Sequence, residues 1–166
     1  MKQAVCFVSQ DFEADKKQAA TSSSLTKPYE LPDGSTVQVN GPRFQAPELL
    51  FQPALKEEGS EVLGMHQLAQ KSIMACDVDI RKDLYENIIL SGGSTLYEGL
   101  PDRLSNELNK LAPQAGMVKI IAPADRYYSV WTGGSTLSSL STFESQWITN
   151  EEYQENGAAI VHRKCV

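Results

Sequence analysis

The chain has 166 residues, 41% of them hydrophobic and 22% charged, with a formal net charge of −6. Length and apolar content predict one core and, by length, one domain, and the acidic balance excludes nucleic acid as the main partner, because phosphate binding needs clustered Lys and Arg. No apolar run approaches the ~18 residues needed to span a membrane, so no membrane partner is expected.

Cys6, Cys76 and Cys165 lie far apart and have no CxxC spacing. This argues against a disulfide framework or a zinc site and for reduced thiols in a cytosolic protein. The N-terminal MKQAVCFVSQDFEAD turns acidic after a short apolar run and lacks a signal-peptide cleavage pattern.

In chain order, residues 4–8 read as a short strand or a helix tail, and residues 15–25, DKKQAATSSSL, as loop or frayed helix. Residues 29–39, YELPDGSTVQV, predict a hairpin turned by Pro-Asp-Gly. Asn40-Gly41-Pro42 is a break. Residues 46–51 start like a helix with Pro47 near the first turn, and Pro53 stops it. Residues 56–61, KEEGSE, predict exposed loop.

Residues 65–75 carry apolar side chains at helical spacing. Residues 77–85 form a second short helix, with Val78, Ile80 and Leu84 apolar and Asp77 as a cap. A strand follows at 87–90, then a Gly-Gly-Ser-Thr turn and a helix over 96–111. Leu100, Leu104, Leu108 and Leu111 give that helix one apolar stripe, and Ala112-Pro113 ends it. Residues 118–122, VKIIA, are a β-branched strand, and 123–126 a turn. Residues 128–131 predict a third strand, followed by a second Gly-Gly-Ser-Thr and a helix over 137–143. Thr149 caps a short helix at 151–155, which Gly157 ends.

ILSGGSTLYEGL and VWTGGSTLSSL thus share a pattern of strand, small polar residue and Gly-Gly-Ser-Thr-Leu. The second glycine allows close approach to the backbone, and a helix start offers free N–H groups and a positive dipole end. Such a turn can receive a phosphate or pack against a flat base. It lacks the lysine of a phosphate-binding loop and is not GxGxxG. On spacing alone a plain strand-to-helix turn is the better reading for both copies. The second copy favours it more, because Ser138 and Ser139 follow it where Tyr97 follows the first.

Other constellations are poorer. His66 and His162 have no Cys or Asp at ligand spacing, and no GxSxG elbow is present. Asp77, Asp79 and Asp83, interleaved with Arg81 and Lys82, read as a solvated, ion-paired face. Composition and spacing alone give a soluble α/β piece without a self-contained active site, with no catalytic residue and no metal ligand to nominate.

Longer segments are more specific. LYENIILSGGSTLYEGLPDRL, KIIAPADRYYSVWTGGSTLSSLSTFESQWITNEEY and the terminal IVHRKC closely resemble actin, as do VCFVSQDFEAD, SSSLTKPYELPDGS, RFQAPELLFQP and KSIMACDVDIRKDLY. The match runs in order over nearly the whole chain. It resembles the C-terminal portion of a divergent actin or a close actin-related protein. The implied fold is α/β, an actin-like (ribonuclease H-like) ATPase fold of which this chain is the C-terminal half only. In that fold two similar domains flank a cleft holding ATP or ADP with Mg or Ca. Residues 1–60 would end the small insertion of the second large domain, 61–127 would form most of its core, and 128–166 would return to the first large domain. The two domains are pseudo-repeats, and on this reading each owns one GGST copy.

The resemblance carries nucleotide contacts over residue by residue. A lysine–glutamate pair of the family's adenine pocket matches Lys2 and Gln3, an amide replacing the acid. The glycine–hydroxyl turn matches Gly92, Gly93 and Ser94, and the Met-Tyr pair after it matches Leu96 and Tyr97. Tyr127 stands where actins have a lysine, an aromatic able to stack on a base. The phosphate hairpins, the metal-organising aspartates and the water-positioning residues belong to the family's N-terminal part, which no segment here matches. The chain alone is therefore expected to be inactive. Met1 stands where the family has an ordinary internal residue, which fits a truncated product or a partial gene.

Partner surfaces transfer as well. The family's groove for amphipathic helices corresponds to Thr132, Thr136, Leu137, Leu140, Thr142 and Gln146. Actins usually have isoleucines at the first two and methionine at the last, so apolar area is lost at about 25 cal/mol per Å² and weaker or altered helix binding is expected. The apolar plug loop after FQP reads ALKEEGSEVLG here, with Lys56, Glu57, Glu58 and Glu61 costly to bury. The implied function is a cytoplasmic, cytoskeletal ATP-binding protein that polymerises in its complete form and meets other actin subunits and actin-binding proteins. The alternative is a non-polymerising actin-related subunit of a multiprotein complex. A third reading is a non-functional fragment.

Overall fold

The computed structural model describes residues 1–56, 59, 61–113 and 118–165. Length predicts one domain, whereas the chain divides into two compact units, Met1–Tyr127 and Tyr128–Val166.

The first unit opens with a short helix, α1 (Lys2–Val5), and a ten-residue helix, α2 (Phe12–Thr21). The sequence reading of 15–25 as loop or frayed helix underestimates α2. Its start is fixed by Asp11, whose carboxylate accepts from the Ala14 N–H at 3.0 Å, a capping contact that offsets the poor apolar pattern of the helix. Phe12 is its one buried side chain. Strands β1 (Lys27–Glu30) and β2 (Thr36–Val39) pair antiparallel, Lys27 opposite Val39, as the Pro-Asp-Gly turn predicts. In that turn Asp33 accepts from both the N–H and the hydroxyl of Ser35. These bonds hold its carboxyl below the usual aspartate range.

Helix α3 (Pro42–Glu48) corrects the expected start at residue 46. The break at 40–42 is its beginning: Gly41 is the N-cap and Pro42 the first-turn proline. Pro47 sits inside the helix instead. Having no N–H, it leaves the Arg43 carbonyl without a helical donor, and the Phe7 N–H donates there at 3.1 Å. A 3-10 turn (Pro53–Leu55) follows.

Helices α4 (Met65–Met74) and α5 (Val78–Glu86) form where the spacing places them. Asp77 is the N-cap of α5 but makes no side-chain cap bond, and Val78 is 71% exposed. The residue α5 buries is Tyr85. Strands β3 (Ile88–Ile89) and β4 (Ile120–Ile121) pair in parallel, Ile88 opposite Ile120. Between them α6 (Leu100–Leu111) begins four residues later than the sequence predicts. Gly93–Leu96 forms a 3-10 turn, and Gly99 takes φ 79° before the helix starts.

The core lies between α6 and the strand pair. Leu100, Leu104 and Leu108 bury the predicted stripe with Val8, Phe51 and Leu90, while Leu111 is exposed at the end of the helix. Arg103, on the same helix, enters the interior. It donates to both carboxylate oxygens of Glu48 at 3.1 and 2.9 Å, to the Ser9 carbonyl at 2.6 Å and to Glu107 at 2.8 Å. Its guanidinium carbon lies 4.9 Å from the Phe51 ring centre. Glu48 is fully buried. Such a pair holds only because its lone pairs and N–H groups are met.

The second unit contains α7 (Ser129–Ser138), a 3-10 turn (Ser141–Gln146), α8 (Asn150–Asn156), another 3-10 turn (Gly157–Ile160) and α9 (Val161–Lys164). Helix α7 overturns the strand expected at 128–131 and the helix expected at 137–143. The second Gly-Gly-Ser-Thr lies within a continuous helix. The Thr132 N–H donates to the Tyr128 carbonyl at 2.8 Å, and the Thr136 hydroxyl to the Thr132 carbonyl at 2.9 Å. A short apolar run reads equally as strand or helix without a pairing partner to decide it. One GGST turn per half is therefore not what this chain builds. Helix α8 does start at Thr149, through a reciprocal capping box with Glu152.

Candidate nucleotide-side cavity

Two adjacent parallel strands, β3 and β4, end at the same edge, and each runs into a turn. The Leu90 N–H donates to the Ile121 carbonyl at 2.9 Å, which extends the pairing past the strands. Ligands in α/β sheets gather outside the carboxyl ends of such strands.

The turn after β3 is shaped by Gly92, whose φ 88° and ψ 161° lie in a region that is essentially glycine-only. Thr95 closes it, giving its N–H and its hydroxyl to the Gly92 carbonyl at 3.1 and 2.7 Å. The turn after β4 braces it. Arg126 donates to the Thr95 hydroxyl at 3.1 Å and to the Thr95 carbonyl at 2.9 Å, and its own carbonyl accepts from the Gly92 N–H at 2.9 Å. Tyr127, the next residue, lies on Gly93: a Cβ added there would stand 2.9 Å from a ring carbon. The second glycine thus leaves room for the close approach of an aromatic.

Lys2, Gln3, Gly93, Ser94, Leu96, Tyr97 and Tyr127 line one cavity of about 390 Å³. Seven of the eight candidate nucleotide residues meet there, from α1, the 3-10 turn and the end of the β4 turn. The eighth, Gly92, shapes the turn without lining the space. Arg126 escaped the sequence reading. Its only signal is a guanidinium placed one residue before the stacking tyrosine. No group of three or more His, Cys, Asp or Glu among the described residues is arranged to hold a metal ion.

The family model for actin matches residues 1–166. The chain belongs to the actin family. It is an actin-like protein of the cytoskeleton, and its family binds ATP or ADP with a divalent cation and assembles with actin subunits and actin-binding proteins. The six residues expected to line a partner groove all lie in the second unit. Thr132, Thr136 and Leu137 are on α7, Leu140 follows it, and Thr142 and Gln146 are in the next turn. All six are exposed. Thr132 and Thr136 share a face of α7 and place hydroxyls on it. Of the segment expected to be a plug loop, Lys56 and Glu61 are exposed, and Glu57 and Glu58 lie outside the described residues.

Other titratable groups among the described residues of this actin-family chain are shifted by burial and by hydrogen bonds. His66 stacks on Phe51 at 5.8 Å, and burial pushes its pKa below the usual histidine value. Burial also pushes the Cys6 thiol up. Burial would raise Glu107, but hydrogen bonds from Lys110 and Arg103 outweigh it and hold the carboxyl low.

Proposed function

We propose that this chain supplies the base-side wall of the nucleotide site in an actin-like filament protein. The observation that carries this reading is the convergence of Lys2, Gln3, Gly93, Ser94, Leu96, Tyr97 and Tyr127 on one cavity at the carboxyl ends of two parallel strands. Tyr97, Tyr127 and Leu96 would flank a flat base. Lys2, Gln3 and Ser94 would meet its polar edge and the ribose. Gly93 leaves room for the Tyr127 ring to lie against the turn. Bound ATP supplies the phosphoanhydride bond. Its phosphates and cation would be held by polypeptide outside these segments, so the 166 residues carry no hydrolytic group of their own.

In this reading residues 1–60 end the insertion of the second large domain, 61–127 form its core, and 128–166 return to the first large domain. The division of the chain after Tyr127 supports the second boundary. The test is titration of a fluorescent ATP analogue into the 166-residue chain and into the full-length protein. Binding is expected to be undetectable or very weak for the chain alone and clear for the full-length protein. Turnover of ATP by the 166 residues would sink the reading.

A second reading, a non-polymerising actin-related subunit of a larger complex, draws support from the polar groove. Thr132, Thr136 and Gln146 are exposed where an amphipathic helix would want apolar contact. Sedimentation of the full-length protein under polymerising salt separates the two: a pelleted polymer favours the filament, a permanently soluble subunit the complex.

A further inference from the structure

Resting on the nucleotide reading, we infer that this cavity is tolerant of the base: it binds adenine and guanine nucleotides alike, with Tyr127 as the residue that sets this tolerance. The first ground is the chemistry of the lining. Its side-chain hydrogen-bonding groups are the Lys2 ammonium, the Gln3 amide, the Ser94 hydroxyl and the phenols of Tyr97 and Tyr127. An amide turned either way, and a hydroxyl that rotates, each present donor or acceptor as required. No carboxylate, the one acceptor-only side chain, lines the space. The two purines exchange donor and acceptor at the 6-position and N1, and guanine adds a 2-amino donor; the amide and hydroxyls of the lining can answer either pattern. The fixed donor of the lining is the Lys2 ammonium, which suits N7, an acceptor that both purines share.

The second ground is rigidity. Stacking is blind to the base, because every base has a π-face. It contributes most when the aromatic wall is already in place. Tyr127 has one support of this kind: its ring carbons sit against Gly93 although the residue is 44% exposed, and its chain neighbour Arg126 ties the two turns together through Thr95 and Gly92. Affinity therefore comes from a preset, indifferent surface, while the groups able to discriminate are adaptable.

The test is competition of ATP and GTP against a fluorescent ATP analogue on the full-length protein. ATP and GTP are expected to compete within about tenfold of each other, because stacking is blind to the base. Tyr127→Ala should weaken both purine nucleotides by about tenfold or more, and Tyr127→Phe should retain both. A preference of a hundredfold or more for one purine overturns the proposal, as does a folded Tyr127→Ala that binds both as before. If Tyr127→Ala does not fold, the ATP-to-GTP ratio of the unmodified protein decides. If the unmodified protein binds no purine nucleotide, the nucleotide reading itself falls, and this proposal with it.

Discussion

Gly92–Thr95 and Gly133–Thr136 have identical sequences and different structures. The first is a strained turn between a strand and a 3-10 segment, with Gly92 in glycine-only backbone space and Gly93 under an aromatic ring. The second is the middle of a helix, where a Cβ on either glycine would meet open space. Four residues therefore do not specify a turn. What specifies it is the pairing of β3 with β4, which halts the chain at a sheet edge, and an arginine reaching across from the neighbouring loop. Residues 128–131 have no strand partner among the described residues, and local hydrogen bonding takes them into a helix.

The regions around the two copies also differ in how they treat charge. The first unit buries Arg103 against Glu48. The second keeps its Lys164–Glu152 pair near the surface at 2.7 Å and, among described residues, fully buries only Ile160. The largest effect should come from breaking the buried pair. Arg103→Ala leaves Glu48 uncompensated and is expected to cost about 3–5 kcal/mol, read as a shift in urea midpoint by far-ultraviolet circular dichroism. A cost below ~1 kcal/mol would mean the two units are less different than their burial indicates.

Next come the glycines. Gly92→Ala should destabilise by about 1–3 kcal/mol, because alanine must enter a forbidden backbone region. Gly134→Ala should have the opposite sign and stabilise by about 0.5–1 kcal/mol, through helix propensity alone. Both tryptophans, Trp131 and Trp147, belong to the second unit, so their fluorescence follows the second variant selectively. Equal signs for the two substitutions would break the comparison.

The smallest effect is the pH dependence that His66 gives the first unit. Burial lowers the His66 pKa, so the folded state binds fewer protons than the unfolded state once the pH falls below the ordinary value of 6.5. Stability should then decline with falling pH in that window, and His66→Phe should flatten the decline. A slope that survives the substitution would assign the effect to other groups.

These contrasts mark what a sequence can state. The hairpin at Pro32-Asp33-Gly34, the stripe of α6 and the Thr149 cap were legible because each is a local pattern with its own physical cause. The seven lining residues were nominated by resemblance and not by their glycines, whose identical second copy builds a helix. Helix α2 was underestimated because its register comes from one capping carboxylate rather than from apolar spacing. Arg103 with Glu48, 55 positions apart, and Arg126 with Thr95, 31 apart, carry no local signal. A buried arginine on a helix otherwise looks like any solvated one.

Pro47 shows the same economy at the level of a single peptide group. Because α3 surrenders one internal rung, the amide of Phe7 finds a vacant acceptor, and the segment after α1 is stitched to α3. Restoring an amide at position 47 would create a rival for that oxygen. An imino acid inside a helix, usually counted as a fault, acts here as a reserved berth for another part of the chain.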